Sequence, residues 1–150
     1  MTNRSVTHGT FVVERSYPAS PARAFKAWAD PVIKARWFMG GTAPGQYELD
    51  FRAGGKEVNR IETPDGLVTY SAIYQDIVPD NRIVYSYEMH QGDRHTSVSL
   101  TTVEFKPEGK GTRLVLTEQG AFLDGLDDPR QREAGNTFLL GLLDKELQAE

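Results

Sequence analysis

Carboxylates, tyrosines and hydroxyls recur at every second residue in several stretches of this chain, a spacing that places them on one face of a β-strand. Leu114, Leu116 and Glu118 share such a face, and the two leucines mark it as inward. Glu118 then stands as a carboxylate at the end of an apolar surface, where burial raises a carboxyl pKa and fits it for acid–base work. Ser97, Ser99 and Thr101 share a face with Val103 and Phe105, so that strand runs from hydroxyl-lined to apolar. Tyr70, Ala72 and Tyr74 share another, as do Ile83, Tyr85, Tyr87 and Met89. Aromatic walls with a few polar anchors are the usual make-up of a small-molecule site. Arg60 is the best cationic candidate if its strand turns it inward, although a solvated arginine is the plainer reading. Tyrosine and methionine at alternating positions also serve packing, and Glu118, beside a loop, is equally readable as solvated.

Other chemistries find little support. The chain has no cysteine, which excludes disulfides, thiolate catalysis and Cys-ligated zinc. No serine stands in a strand–turn–helix elbow, and neither Gly40-Gly41 nor Gly54-Gly55 has the lysine and spacing of a phosphate-binding loop. His90 and His95 flank a four-residue turn with Glu88 nearby, a set that could in principle ligate zinc or iron. An exposed hairpin tip offers nothing to orient such ligands, so no metal and no cofactor is expected. His8 lies near the N-terminus.

The elements that must position these residues are marked by local signals. Asp128-Pro129-Arg130-Gln131 reads as a helix start, with Asp as N-cap, Pro at the first helical position and Gln at the capping-box position. In the helix that follows, Phe138, Leu139, Leu140, Leu142, Leu143 and Leu147 fall in one broad apolar arc, and Asn136 falls within it. A buried Asn136 needs hydrogen-bond partners, and a structural bond is as natural a use for it as a ligand contact. Ser20-Pro21 and Asp30-Pro31 repeat the cap-plus-proline signal for two shorter helices, the second running through Ile33, Trp37 and Phe38 and stopped by Gly40-Gly41. Trp37 and Phe38 either plug the core or cap the mouth of a pocket.

The remaining segments read as strands: 10–17, then six successive ones from Tyr47 to Glu118, with 1–7 expected to be loose. Short turns such as Pro64-Asp65-Gly66, Pro79-Asp80-Asn81 and Gln91-Gly92-Asp93 join them, and Gly54-Gly55 is expected to supply positive-φ residues. Short connections imply an antiparallel meander, and its apolar face needs the last helix as cover.

Composition sets the outer limits. With 150 residues, 39% hydrophobic and 25% charged, the chain is ordinary for one globular domain spanning 1–150. A net charge of −4 and no basic stripe argue against nucleic acid. The opening lacks an apolar signal core and no apolar run approaches the ~20 residues of a membrane span, so a cytoplasmic location is expected.

The run Glu14-Arg15-Ser16-Tyr17-Pro18-Ala19-Ser20-Pro21, with Phe25, Ala27-Trp28, Asp30-Pro31 and Arg36-Trp37-Phe38, resembles the opening of the helix-grip (START-like, SRPBCC) superfamily. It is most similar to the branch related to the activator of the ninety-kilodalton heat-shock-protein ATPase. Phe51-Arg52-Ala53-Gly54-Gly55, Phe105-Lys106-Pro107 and Gly111-Thr112-Arg113-Leu114 extend the resemblance over nearly the whole chain. It implies an α+β fold in which a seven-stranded antiparallel sheet wraps a long C-terminal helix around a cavity for an apolar or aromatic molecule. Where relatives often carry a Gly-Trp pair in that helix, this chain has Gly135-Asn136, which implies a smaller and more polar wall.

Three functions are compatible with this reading. The first is binding of a hydrophobic or aromatic small molecule, contacted by Trp37, Phe38, Tyr70, Tyr74, Tyr85, Tyr87, Asn136 and Leu139. The second is a polyketide-cyclase-like or hydrolase-like enzyme using Glu118, Arg60 and pocket tyrosines. The third is a stand-alone co-chaperone-like module with a chaperone partner, a role the resemblance itself makes doubtful because the co-chaperone carries this domain within a longer chain. Monomer and homodimer are both open.

Overall fold

The same helix-start device occurs three times, and it fixes where the helices lie. In the computed structural model, which describes residues 4–38 and 46–148, α1 (Pro21–Ala29) is capped by Ser20, whose Oγ accepts from the Arg23 amide at 3.2 Å. Asp30 both closes α1, its N–H donating to the Lys26 carbonyl, and opens α2 (Pro31–Phe38), its Oδ1 accepting from the Val32 and Ile33 amides. Asp128 Oδ1 accepts from the Arg130 amide at 2.7 Å at the start of α3 (Pro129–Gln148). Each cap satisfies donors that the first turn leaves without partners. The expected stop at Gly40-Gly41 lies outside the described residues.

Seven strands, β1 (Val6–Tyr17), β2 (Gln46–Leu49), β3 (Lys56–Thr63), β4 (Gly66–Val78), β5 (Arg82–Gln91), β6 (Arg94–Glu108) and β7 (Gly111–Leu123), form one antiparallel sheet in the order β1-β7-β6-β5-β4-β3-β2. The six later strands are the expected meander, and β1 closes it by pairing with β7. Both of these strands are longer than their sequence signals. Val6–Gly9 pairs with Gly120–Leu123, segments whose alternation is weak and whose extension comes from each other. Residues 4–7 are therefore tied rather than loose: Ser5 N–H donates to Asp124 Oδ1, and Arg4 pairs with Asp124 Oδ2, each at 2.9 Å.

The glycine pair after β2 is used differently from the expectation. Only Gly54 has positive φ, at +82°. Gly55 is required by crowding, since a Cβ there would stand 2.0 Å from the Asp50 carbonyl oxygen.

All three helices lie on one face of the sheet. The core holds Phe11, Val13 and Tyr17 of β1, Ala72 and Tyr74 of β4, Ile83, Tyr85 and Tyr87 of β5, Val103 and Phe105 of β6, and Leu114 and Leu116 of β7. From α3 only Leu140, Leu143 and Leu147 are fully buried, while Leu139 and Leu142 are half-buried. Phe138, placed in the buried arc by its spacing, is 59% exposed. The helix is thus anchored by its C-terminal half. Tyr17 Oη donates to the Leu140 carbonyl at 2.9 Å, and the Arg23 guanidinium donates to the carbonyls of Leu147 and Glu146. A cation at that end also opposes the negative pole of the helix.

Leu143→Ala is therefore expected to lower unfolding stability by about 2–5 kcal/mol, whereas Phe138→Ala should change it by less than ~0.5 kcal/mol. Urea unfolding of the two variants checks the anchor. Equal losses would place the buried face of α3 elsewhere.

Candidate functional site

Because α3 is held down by its C-terminal half, its N-terminal half stands over the sheet and leaves a cavity of about 440 Å³. Tyr70 of β4, Tyr85, Tyr87 and Met89 of β5 and Ile61 of β3 form its floor. Arg132, Gly135, Asn136, Phe138 and Leu139 of α3 line the opposite side, and Phe38 from the end of α2 completes the wall. Strand parity explains the floor, because residues that alternate inward along β4 and β5 become neighbours across the sheet. The rings are held by one another: Tyr70 lies 5.1 Å from Phe38 edge-on and 4.9 Å from Tyr87 in a tilted pair.

A polar network lies under the α3 end of the cavity. Glu118 is 1% exposed, and it accepts from Tyr87 Oη at 2.7 Å, from Thr101 Oγ1 at 3.0 Å and from Asn136 Nδ2 at 3.4 Å. Arg132 donates to Tyr87 Oη at 2.9 Å and Ser97 Oγ at 3.0 Å, is ion-paired with Asp127, and lies 3.8 Å from Glu118 Oε2. Burial pushes the Glu118 carboxyl above the ordinary glutamate range, against the pull of Tyr87, Arg132, Thr101 and Asn136. Burial likewise raises the Tyr87 phenol, helped by the neighbouring Glu118, so Tyr87 stays neutral.

A second network lies between α2 and the sheet. Lys34 and Glu57 are both fully buried and paired at 2.8 Å. Tyr74 Oη accepts from Lys34 Nζ at 3.1 Å and donates to Glu57 Oε1 at 2.7 Å, and Tyr47 Oη donates to Glu57 Oε2. The ammonium also sits 4.3 Å from the Phe38 ring centre and 5.1 Å from that of Trp28. Burial draws the Lys34 pKa down, opposed by Glu57.

The structure separates the expected site residues. Phe38, Tyr70, Tyr85, Tyr87, Asn136 and Leu139 line the cavity together. Trp37 does not: it is buried in the core, donates Nε1–H to the Ala27 carbonyl at 2.9 Å and packs edge-on against Trp28. Tyr74, fully buried, belongs to the Lys34–Glu57 network. Glu118 is inward, as its parity implied, but lies beneath Tyr87 and Asn136 rather than in the lining. Arg60 points to the opposite face from its neighbour Asn59 and donates to Gln46 Oε1 at 3.3 Å in an exposed contact. Arg60 is therefore not in the cavity lining.

Arg132, Lys34 and Glu57 are not singled out by the sequence pattern. Arg132 lies one helical turn before Asn136, a signal that the apolar arc concealed. Nothing local distinguishes Lys34 from a solvated helix lysine. At the β5–β6 hairpin the His90 and His95 rings stack at 4.4 Å, and His95 Nε2 lies 3.0 Å from Glu88 Oε1. Among the described residues no group of three or more His, Asp or Glu is arranged to hold a metal ion.

A seven-stranded antiparallel sheet closed around a long C-terminal helix, with two short helices after the first strand, defines the helix-grip, START-like class. Within it, residues 18–148 match the family described as activator of Hsp90 ATPase homolog 1-like protein, and the chain belongs to that family. The fold is similar to that of an uncharacterised protein from Rhizobium leguminosarum, with 46% identity, a TM-score of 0.95, and 99% of this chain and 100% of that one covered. It is also similar to the Mll3558 protein from Rhizobium loti, with 50% identity, a TM-score of 0.89 and coverages of 95% and 99%. CalU16 from Micromonospora echinospora shares the fold at 19% identity, with a TM-score of 0.66 and coverages of 97% and 85%. None of the curated proteins compared matches the chain.

Two predictions follow the two networks. Lys34→Met leaves Glu57 buried without its cation and should cost about 3–5 kcal/mol, much of it recovered in the Lys34→Met/Glu57→Gln double variant. Additive losses in urea unfolding would show that the pair is not coupled. A carboxyl whose folded pKa is raised adds stability below its unfolded pKa and loses it as pH rises through the folded value. Wild type should thus lose ground to Glu118→Gln as pH climbs from the ordinary glutamate value of 4.5 upward. A stability difference that stays constant with pH would mean that folding does not raise the Glu118 pKa.

Proposed function

We propose that the protein binds a hydrophobic, aromatic small molecule in the cavity between α3 and the inner face of the sheet. The observation that carries this reading is the lining itself: six aromatic or aliphatic side chains of the sheet and α2 face Leu139 and Phe138, with Arg132 and Asn136 as polar groups at one end. A volume of about 440 Å³ falls in the range of small-molecule sites. The fold of this family is one that commonly binds hydrophobic ligands.

One observation favours turnover as a second reading. Glu118 is a buried carboxyl with a raised pKa, joined through Tyr87 to Arg132, which is an acid–base arrangement at a cavity floor. Both Glu118 oxygens are already occupied, so a proton would have to pass through Tyr87 or Asn136. Binding needs no such relay and is preferred.

Native mass spectrometry of freshly purified protein, compared with the same sample denatured, tests the reading. An adduct lost on denaturation, and absent from a folded Asn136→Trp variant, is the expected result, since the indole would occupy the cavity. An adduct retained in that variant would place the bound molecule elsewhere.

A further inference from the structure

Among the described residues, eleven line the cavity, and Arg132 is the one that carries a formal charge. The rest of the wall is aromatic, aliphatic, glycine or the neutral Asn136, so no carboxylate faces the space to cancel that charge. Asp127, the direct ion-pair partner of Arg132, stands outside the lining and is 20% exposed, so water weakens its share of the field. Glu118 lies behind Tyr87, 3.8 Å from the guanidinium, and burial favours its neutral form. The cavity is thus apolar along its floor and positive at one end.

Arg132 also has donors to spare. A guanidinium carries five N–H groups. Tyr87 Oη takes one from Nη1, and Ser97 Oγ and Asp127 take two from Nη2, which leaves Nε–H and the second Nη1–H without a protein acceptor. Nor is Nε sealed in: the buried side-chain atoms without partners are Trp28 Nε1, Asn59 Oδ1, Tyr70 Oη, His95 Nε2 and Ser99 Oγ. The existing bonds hold the guanidinium still, its centre 5.5 Å from the Tyr87 ring and 5.3 Å from the Phe122 ring. An incoming acceptor therefore meets a fixed donor rather than a mobile chain. Helix stability does not account for the residue, because Arg132 stands in the first turn of α3, where a cation opposes the positive pole of the helix.

We propose that Arg132 is a specificity-determining residue whose guanidinium pairs with a carboxylate on the bound molecule, so that the cavity selects aromatic carboxylates over neutral aromatic compounds of the same shape. This rests on the cavity being a ligand site. The ring system lies over Tyr70, Tyr85 and Tyr87, and the carboxylate accepts from a free N–H of Arg132. Such a charge-assisted bond is shorter and stronger than one between neutral groups.

The test uses 2-naphthoate and 2-naphthamide at neutral pH, which share a two-ring frame and outline and differ in charge, titrated by calorimetry into wild type, Arg132→Gln and Asp127→Asn. Wild type should bind naphthoate about ten- to a hundredfold more tightly than naphthamide, as expected for a hydrogen bond to a charged group. Arg132→Gln should lose most of that preference through weaker naphthoate binding, with naphthamide affinity little changed. A structural role alone would lower stability without altering the ratio of the two affinities. Asp127→Asn removes the competing carboxylate but keeps an oxygen to accept from the Asp128 amide, so it should widen the preference. If both compounds bind and wild type does not prefer naphthoate, or a folded Arg132→Gln keeps the preference, the inference is overturned while the cavity remains a binding site. If Arg132→Gln fails to fold, Asp127→Asn decides: a wider preference upholds the inference, and an unchanged or narrower one overturns it. If neither compound binds wild type, the binding reading falls and the inference with it.

Discussion

A sheet with one apolar face must cover it, and here the cover fits at only one end. Leu140, Leu143 and Leu147 seat the C-terminal half of α3, with Tyr17 and Arg23 tying its carbonyls to β1 and α1. The N-terminal half brings Arg132, Gly135 and Asn136 to the sheet instead of large apolar side chains, so it cannot fill the space above Tyr70, Tyr85 and Tyr87. The cavity is the volume that this uneven helix leaves. Its position thus follows from where the leucines stop in the sequence.

Two buried polar networks flank that space, and they solve different problems. Lys34 and Glu57 are sealed in and mutually neutralising, with Tyr74 and Tyr47 supplying the remaining hydrogen bonds that a buried pair requires. They join α2 to β3 and set Phe38 at the cavity wall. Glu118 and Arg132 join β7 to α3 at the other side; Arg132 lines the cavity itself, and Glu118 lies behind Tyr87 and Asn136. The first network is structural in its geometry; the second puts the Arg132 guanidinium in the cavity wall with the Glu118 carboxyl one side chain behind it.

Much of the fold was legible because its signals are local. Three cap-plus-proline starts set the helices, and alternation with short turns set the meander. Parity also put Glu118, Tyr70, Tyr85 and Tyr87 on the inward face, where the structure has them. What was not legible depends on partners distant in sequence. The extra length of β1 and β7 comes from their pairing, and the burial of Lys34 depends on Glu57, 23 residues later, on a strand whose own pattern gives neither face as apolar. Phe138 shows the reverse failure: helical spacing placed it in the arc, but its side chain stands at the edge of the cavity and is 59% exposed.

The two tryptophans of the chain sit together, Trp28 and Trp37 with ring centres 4.9 Å apart, and Trp37 meets Phe38 edge-on at 5.6 Å. Phe38 is the cavity wall on that side. The protein therefore carries a built-in optical reporter one ring removed from its site: all indole emission arises from one buried pair, beside the Lys34 ammonium, with no surface tryptophan to dilute it.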